Sequence, residues 1–316
     1  MKVIEHLDRA SEPLMSFEIV PLRRGGKLKN LLAVLDDLTE FRPRFIDVTS
    51  HASDAVYDET PAGIERKVKR KRPGTLGICA LIQKKYEIDA VPHVLCANFT
   101  REETEDFLID LQYLEIQNVL ALRGDLPAYE KPVQGGRSVN RHAADLVEQL
   151  SNMNKGKYLE ELLGAEATDF CIGVAGYPEK HCEAPNLLTD IRYLKAKVDA
   201  GAEYVVTQMF FENEAYFEFV KLCRKEGIQV PIIPGLKVVS SKQQLTTIPQ
   251  TFHVDIPFDL SEEIRRSDVE AAIEVGAEWT AAQARELLDA GAPAIHFYVI
   301  GQSKPIRAVM KRLGRC

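Results

Sequence analysis

Eight short apolar, β-branched runs recur along this chain, each separated from the next by a stretch with helical periodicity. They are Met15–Val20, Phe45–Thr49, Val91–Cys96, Asn118–Leu122, Phe170–Ala175, Tyr204–Gln208, Pro231–Pro234 and Ala294–Val299. Between them, Leu28, Leu31, Leu32, Leu35 and Leu38 fall on one helix face, and Tyr216, Phe219, Val220 and Cys223 repeat the spacing. Pro73–Tyr86 reads as a helix, because proline suits a first turn and Cys79, Ile82, Gln83 and Tyr86 share a face. Strands that are apolar at nearly every position are buried on both sides, which calls for a parallel sheet covered by helices. Eight such β/α units predict an α/β fold, the closed (β/α)8 TIM barrel, which commonly takes ~250 residues. No repeat, low-complexity tract or linker divides the 316 residues, so 1–316 reads as a single domain.

Composition narrows the partners. Lys+Arg total 40 against Asp+Glu 47, a net charge of −7 that argues against a nucleic-acid backbone. No apolar run approaches the roughly 20 residues of a membrane span, and the first residues lack the apolar stretch of a secretory signal. The expectation is a soluble, cytoplasmic protein with no membrane partner. The six cysteines never take a CxxC or zinc-ligand spacing, so they read as reduced and no metal is implied. The basic run at 65–73, ERKVKRKRP, reads as one solvated helix face. Gly135-Gly136 reads as a flexible turn, and 153–167 as an elaboration of the fourth helix. No G-x-G-x-x-G is present, so a Rossmann unit is not supported.

In a barrel of this kind, functional residues belong at the C-terminal ends of the strands. Glu18 interrupts the first run and His93 the third, Thr49 ends the second, Arg123-Gly124-Asp125 follow the fourth, Tyr177 the fifth, and Gln208 ends the sixth. A strand-end threonine or glutamine often only satisfies loop backbone groups. A carboxylate inside SFEIV is different: it is costly to bury without a partner or a task. Glu18, Asp125 and His93 therefore read as functional.

These residues carry a resemblance. Ser16-Phe17-Glu18, Val48-Thr49, Pro92-His93, ALRGDLP at 121–127, GVAGYPEKHCEA at 173–184, KVDAGAEYVVTQMFF at 197–211, IIPGL at 232–236 and HFY at 296–298 are similar to the methylenetetrahydrofolate reductase family, in its order and over nearly the whole chain. The extent is that of the bacterial catalytic barrel. The resemblance implies an FAD-bearing barrel that reduces 5,10-methylenetetrahydrofolate to 5-methyltetrahydrofolate, with NAD(P)H or another donor supplying electrons. Opening the folate ring requires protonation of a nitrogen, so the general acid must keep its proton near neutral pH. Glu18, its pKa raised by burial, is expected in that role, and Asp125 as the negative charge beside the developing cation.

By the same resemblance the FAD contacts are Thr49, Ser50, Ala52, His93, Arg123, Gly124, Asp125, Ala143, Tyr177, His181, Ala184, Asp190 and Lys197, with Gly124 small enough for close approach. Gln208 and Gln244 match folate or nicotinamide contacts, and Gln302 falls at a substrate-binding position. His142, Tyr193, Ala196, Gln302 and Ile248 depart from the better-known bacterial pattern, Gln302 where an arginine meets the folate tail and Ile248 where an aromatic stacks on the dinucleotide. Two other readings stand beside this one. A cofactor-free, phosphate-binding lyase or aldolase would want a Schiff-base lysine at a strand end, and none is evident. A non-catalytic folate- or flavin-binding barrel would have no use for Glu18. The sequence leaves the donor, the direction and any homo-oligomeric state open.

Overall fold

The computed structural model describes residues 1–124 and 130–315. Its elements run α1 (Val3–Arg9), β1 (Leu14–Ile19), α2 (Leu28–Thr39), β2 (Phe45–Val48), β3 (Ser53–Thr60), β4 (Gly63–Arg70), α3 (Thr75–Tyr86), β5 (Asp89–Leu95), α4 (Arg101–Tyr113), β6 (Asn118–Leu122) and α5 (Ala143–Met153). There follow β7 (Cys171–Gly176), α6 (Leu187–Asp199), β8 (Tyr204–Met209), α7 (Asn213–Lys225), β9 (Ile232–Leu236), α8 (Gln244–Phe252), α9 (Phe258–Arg266), α10 (Val269–Asp289), β10 (Ala294–Val299) and α11 (Lys304–Arg312). Eight strands close a parallel barrel in the order β1-β10-β9-β8-β7-β6-β5-β2. The eight apolar runs of the sequence are these eight strands, with ends shifted by a residue or two.

Alternation along each strand sorts the side chains. Ile46, Val48, Val205, Phe297 and Val299 face outward into the main core, with Leu31, Leu35 and Leu38 of α2 and Phe219 of α7. Each fully buried side chain of this size contributes about 1.5–3 kcal/mol. Phe45, Val91, Leu120, Tyr204 and Ile233 point inward and fill the lower barrel, where Val3 of α1 joins them. Asn118 fixes that helix by accepting from the Val3 amide at 2.8 Å. With its floor packed, the barrel offers chemistry only at its C-terminal mouth.

The basic run is not a helix face. Its residues up to Arg70 lie in β4, which pairs antiparallel with β3 to form a hairpin outside the barrel, after β2. Val56, Tyr57, Ile64 and Val68 favour strands, and Pro61-Ala62 makes the turn into Gly63. The charges at 65–72 hid that period of two. Acidic β3 partly neutralises the basic run: Lys67 of β4 lies 3.2 Å from Asp58, and Lys71, just past β4, lies 3.1 Å from Asp54. Arg24 donates to the Arg70 carbonyl at 2.9 Å, tying the hairpin base to the loop after β1. The segment after α5 is likewise not helical. Turns and irregular chain connect it to β7, and the Asn154 side chain donates to the Phe170 carbonyl at 2.8 Å. Among the described residues, no helix is long and apolar enough to cross a membrane.

Candidate active site

The inward positions nearest the mouth carry an unusual set. β1 presents Ser16 and Glu18, β2 Asp47, β5 His93, and β10 His296 and Tyr298. The register places Glu18 beside Asp47 on one side and Tyr298 on the other, and Ser16 beside His296. His93 Nε2 lies 3.3 Å from Glu18 Oε2 and 3.9 Å from Asp47 Oδ2. His296 lies between the same carboxyls: its Nε2 is 3.9 Å from Glu18 Oε2, and its Nδ1 is 4.0 Å from Asp47 Oδ1. Ser16 Oγ is 2.9 Å from that Nδ1. Tyr298 donates to the Thr207 carbonyl at 2.6 Å.

The carboxyl pair titrates differently from the sequence expectation. Burial does push Glu18 up, but the imidazoles of His93 and His296 more than offset it and hold the carboxyl down at about 2. Burial and the Glu18 charge push Asp47 well above the usual carboxylate range. Among the described residues, neither Asp47 oxygen has a hydrogen-bond partner. An ion in that position would be unsupported, so Asp47 is the protonated member and Glu18 the ionised one. Asp47 escaped the sequence reading although FIDVT carries the same signal as SFEIV, a carboxylate inside an apolar strand.

A second group gathers on the loops after β6 and β7. Arg123 makes a two-pronged ion pair with Glu183, at 2.6 and 2.8 Å. His181 Nδ1 accepts from the Glu183 amide at 3.2 Å, and its ring meets Tyr177 edge-on with centroids 4.8 Å apart. Burial, then the nearby Arg123 charge, lowers the His181 pKa. Asp190, near the start of α6, accepts from the His181 amide at 2.8 Å, and Lys197 donates to the Ala175 carbonyl at 2.5 Å. Burial pushes the Lys197 ammonium down to about 8 against the opposing pull of Asp190. Ala184 is buried in the same loop. Gly124 takes φ +84°, and a Cβ there would make only ordinary contacts at 3.5 Å with Ala97 and Leu95. That positive φ is one that glycine adopts without strain.

The remaining expected residues are more dispersed. Thr49 follows β2, its buried Oγ1 without a hydrogen-bond partner among the described residues. Ser50 lines a cavity of about 380 Å³ with Thr75, His93, Leu95 and Phe99. Ala52 leads into β3, and Ala143 opens α5 behind His142, whose carbonyl accepts from Cys96 Sγ at 3.4 Å. Gln208 bonds the next amide, Met209, at 2.9 Å, and Gln244 the Ser240 amide at 2.7 Å. Gln302 is exposed in the loop after β10. Ile248 is buried against Met209, Phe211 and Leu260, so it is core rather than a stacking surface. Asp125 lies outside the described residues.

One strand-end lysine was missed. Lys237 follows β9 directly, 6% exposed, and burial alone pushes its ammonium down to about 8. Ile233 packs in the inner cluster, whereas Leu236 and Val238 pack in the outer core. Alternation thus turns Lys237 toward the mouth.

The chain matches the methylenetetrahydrofolate reductase family over residues 2–314. It belongs to that family. It is 32% identical over 302 residues to the 5,10-methylenetetrahydrofolate reductase of Salmonella typhimurium, covering 95% of this chain and 90% of that protein. With the probable methylenetetrahydrofolate reductase (NADPH) of Caenorhabditis elegans, identity is 31% over 314 residues, covering 98% of this chain but 44% of the nematode protein. The chain thus spans less than half the length of that relative. Among solved structures, a Clostridium thermocellum protein described as binding two copies of 5-methyl-5,6,7,8-tetrahydrofolic acid shares the fold. Its TM-score is 0.59 at 12% identity, with coverage of 98% of this chain and 97% of that one.

Proposed function

We propose that the chain reduces 5,10-methylenetetrahydrofolate to 5-methyltetrahydrofolate, with FAD as cofactor and NAD(P)H as donor. Family membership supports the reaction, and the nematode relative's name supports a nicotinamide donor. The observation that carries the reading is the proton-holding cluster of Glu18, Asp47, His93 and His296 at the barrel mouth, which a merely binding barrel would not need. Lys237 gives the barrel a buried strand-end amine, but family membership favours the reductase over a Schiff-base lyase.

The residues present fit a flavin dinucleotide. Among the described residues, Thr49 Oγ1 is a buried hydroxyl without a partner, Arg123 and Lys197 are cations flanking the β7 loop, and the Lys197 ammonium, bonded once to Ala175, keeps two donors free. Arg123 and Lys197 would hold phosphate, Asp190 would fix the loop through His181, and Thr49, Ser50, Ala52, His93, Gly124, Ala143, Tyr177 and Ala184 would enclose the ring and ribityl parts. Bound flavin would supply hydride to the folate. The chain's own task is the proton: the N10–methylene bond breaks, its electron pair remains on N10, and N10 takes a proton through Glu18. The iminium left at N5 is then the hydride acceptor, with Asp125 as its stabilising charge. Gln208, Gln244 and Gln302 would orient the folate.

Extraction of cofactor from purified protein tests the reading. FAD should be released and should bleach with NADPH or NADH before extraction. Release of FMN alone, or failure of apoprotein to rebind FAD, would overturn the cofactor assignment.

A further inference from the structure

Glu18 faces a difficulty as the sole proton source. Its carboxyl is held at about 2, so at neutral pH it has no proton to give. The proton must arrive from elsewhere, and the interior holds one candidate donor in line with it. We propose that Asp47 is the proton store of the site and His296 the conduit that recharges Glu18 during folate reduction. This rests on the reductase reading above.

The geometry has three parts. Asp47 is buried at 0% exposure on β2, beside Glu18, and among the described residues neither of its oxygens is hydrogen-bonded. Buried structural carboxyls are hydrogen-bonded as a rule, and an apolar residue would fill such a place at lower cost. His296, also fully buried, turns a different ring nitrogen to each carboxyl, Nδ1 to Asp47 and Nε2 to Glu18. An imidazole placed this way can take a proton at one nitrogen while releasing one from the other. His93 turns the same Nε2 to both carboxyls, so it lacks this two-ended arrangement and could pass a proton only by taking and releasing it at one atom. Finally, Glu18 is the more exposed of the two carboxyl side chains, at 12% against 1%, so it is the outlet toward substrate.

The step balances within the chain. Asp47 gives its proton to His296 Nδ1, Nε2 gives one to the Glu18 carboxylate, and Glu18 delivers it to folate N10 as the N10–carbon bond breaks. Asp47 is left ionised and is reprotonated along the same route once product leaves and water reaches Glu18. The separations of 3.9 and 4.0 Å must close by about 1 Å for transfer, a side-chain adjustment that Ser16 Oγ at Nδ1 would guide. Asp47 also interacts electrostatically with Tyr204 of β8, Tyr298 of β10 and Cys79 of α3. Burial and the surrounding charge raise the pKa of all three, so none titrates in its place at neutral pH.

The test uses Asp47→Asn in the flavin-loaded protein, because the amide is nearly isosteric with a protonated carboxyl. Reduction by NAD(P)H or dithionite should keep its wild-type rate. Reoxidation by methylenetetrahydrofolate should slow by ~10-fold or more, with a rate that now falls as pH rises because solvent must supply each proton. An infrared band of a protonated carboxylic acid without hydrogen bonds should be present at neutral pH in the ligand-free chain. It should shift on ¹³C-aspartate labelling and vanish in Asp47→Asn. A folded Asp47→Asn protein with the wild-type folate rate and pH profile would overturn the store, as would absence of the band in the wild type. Should the variant lose its fold, the labelled wild-type band decides alone. A wild-type protein that never reoxidises with folate instead overturns the reductase reading, and this inference with it.

Discussion

Glu18 and Asp47 stand side by side in neighbouring parallel strands, yet one carboxyl is ionised and the other holds its proton. The asymmetry comes from the imidazoles. His93 lies 3.3 Å from Glu18 but 3.9 Å from Asp47; burial penalises both carboxylates, and the imidazoles offset it only at Glu18. Two titratable groups pushed apart by their surroundings divide the roles of outlet and store.

Glu18→Gln should separate the two halves of turnover. Electron transfer from a nicotinamide needs no proton delivered to folate, so bleaching of bound flavin should survive. Reoxidation by methylenetetrahydrofolate should fall by ~10²–10⁴. Glu18 has a folded pKa below its ordinary 4.5, so its stabilising contribution is present above that value and is lost as pH falls toward 2. The variant should therefore show a flatter acid-side stability curve, measured by denaturant midpoint between pH 5 and pH 2.

Lys237→Met should stabilise the ligand-free protein. A fall from the ordinary 10.5 to about 8 corresponds to roughly 3 kcal/mol at neutral pH. The unfolded chain binds more protons between about 8 and 10.5, so wild-type stability rises with pH across that window. Lys197 shares the shift, so the variant should keep only part of that rise. Thermal melts from pH 7 to pH 10.5 measure both effects, and a lower melting temperature at pH 7 would contradict the assignment of Lys237 as an unpaired buried cation.

Gly235→Ala should destabilise the β8–β9–β10 side of the mouth. The new Cβ would lie 2.3 Å from the Thr207 carbonyl oxygen and 2.7 Å from the Tyr298 ring, and so must displace the tyrosine from its hydrogen bond. Overpacking of this kind costs about 1–3 kcal/mol. A denaturant midpoint at the wild-type value would show that the strands absorb the methyl without strain.

Glu183→Gln should leave stability within about 1 kcal/mol, because both partners of the ion pair retain solvent contact. Flavin affinity should change more than stability, since the two-pronged pair fixes the Arg123 guanidinium. Titration of apoprotein with FAD, alongside thermal melts, checks the contrast.

The barrel was legible because strands buried on both faces are apolar without interruption, and eight such runs allow few alternatives. The β3–β4 hairpin was not, since its strands are solvated and their charges, rather than an apolar alternation, dominate the local pattern. At the site, Glu18 and His93 stood out as polar residues inside apolar strands, and both lie in the interior cluster. Asp47, His296 and Lys237 broke the same rule but went unread: their meaning depends on which strands become neighbours. The direction of the Glu18 shift was misjudged for that reason, since burial is visible in one strand and the two imidazoles come from two others.

The proposed reaction delivers a proton from the chain and a hydride from the flavin to methylenetetrahydrofolate. The most direct measurement is anaerobic stopped-flow mixing of dithionite-reduced, flavin-loaded protein with methylenetetrahydrofolate, followed by chromatography of the product. The account predicts rapid return of the oxidised flavin spectrum with one 5-methyltetrahydrofolate formed per flavin reoxidised. A flavin that stays reduced, or that reoxidises without forming 5-methyltetrahydrofolate, would contradict it.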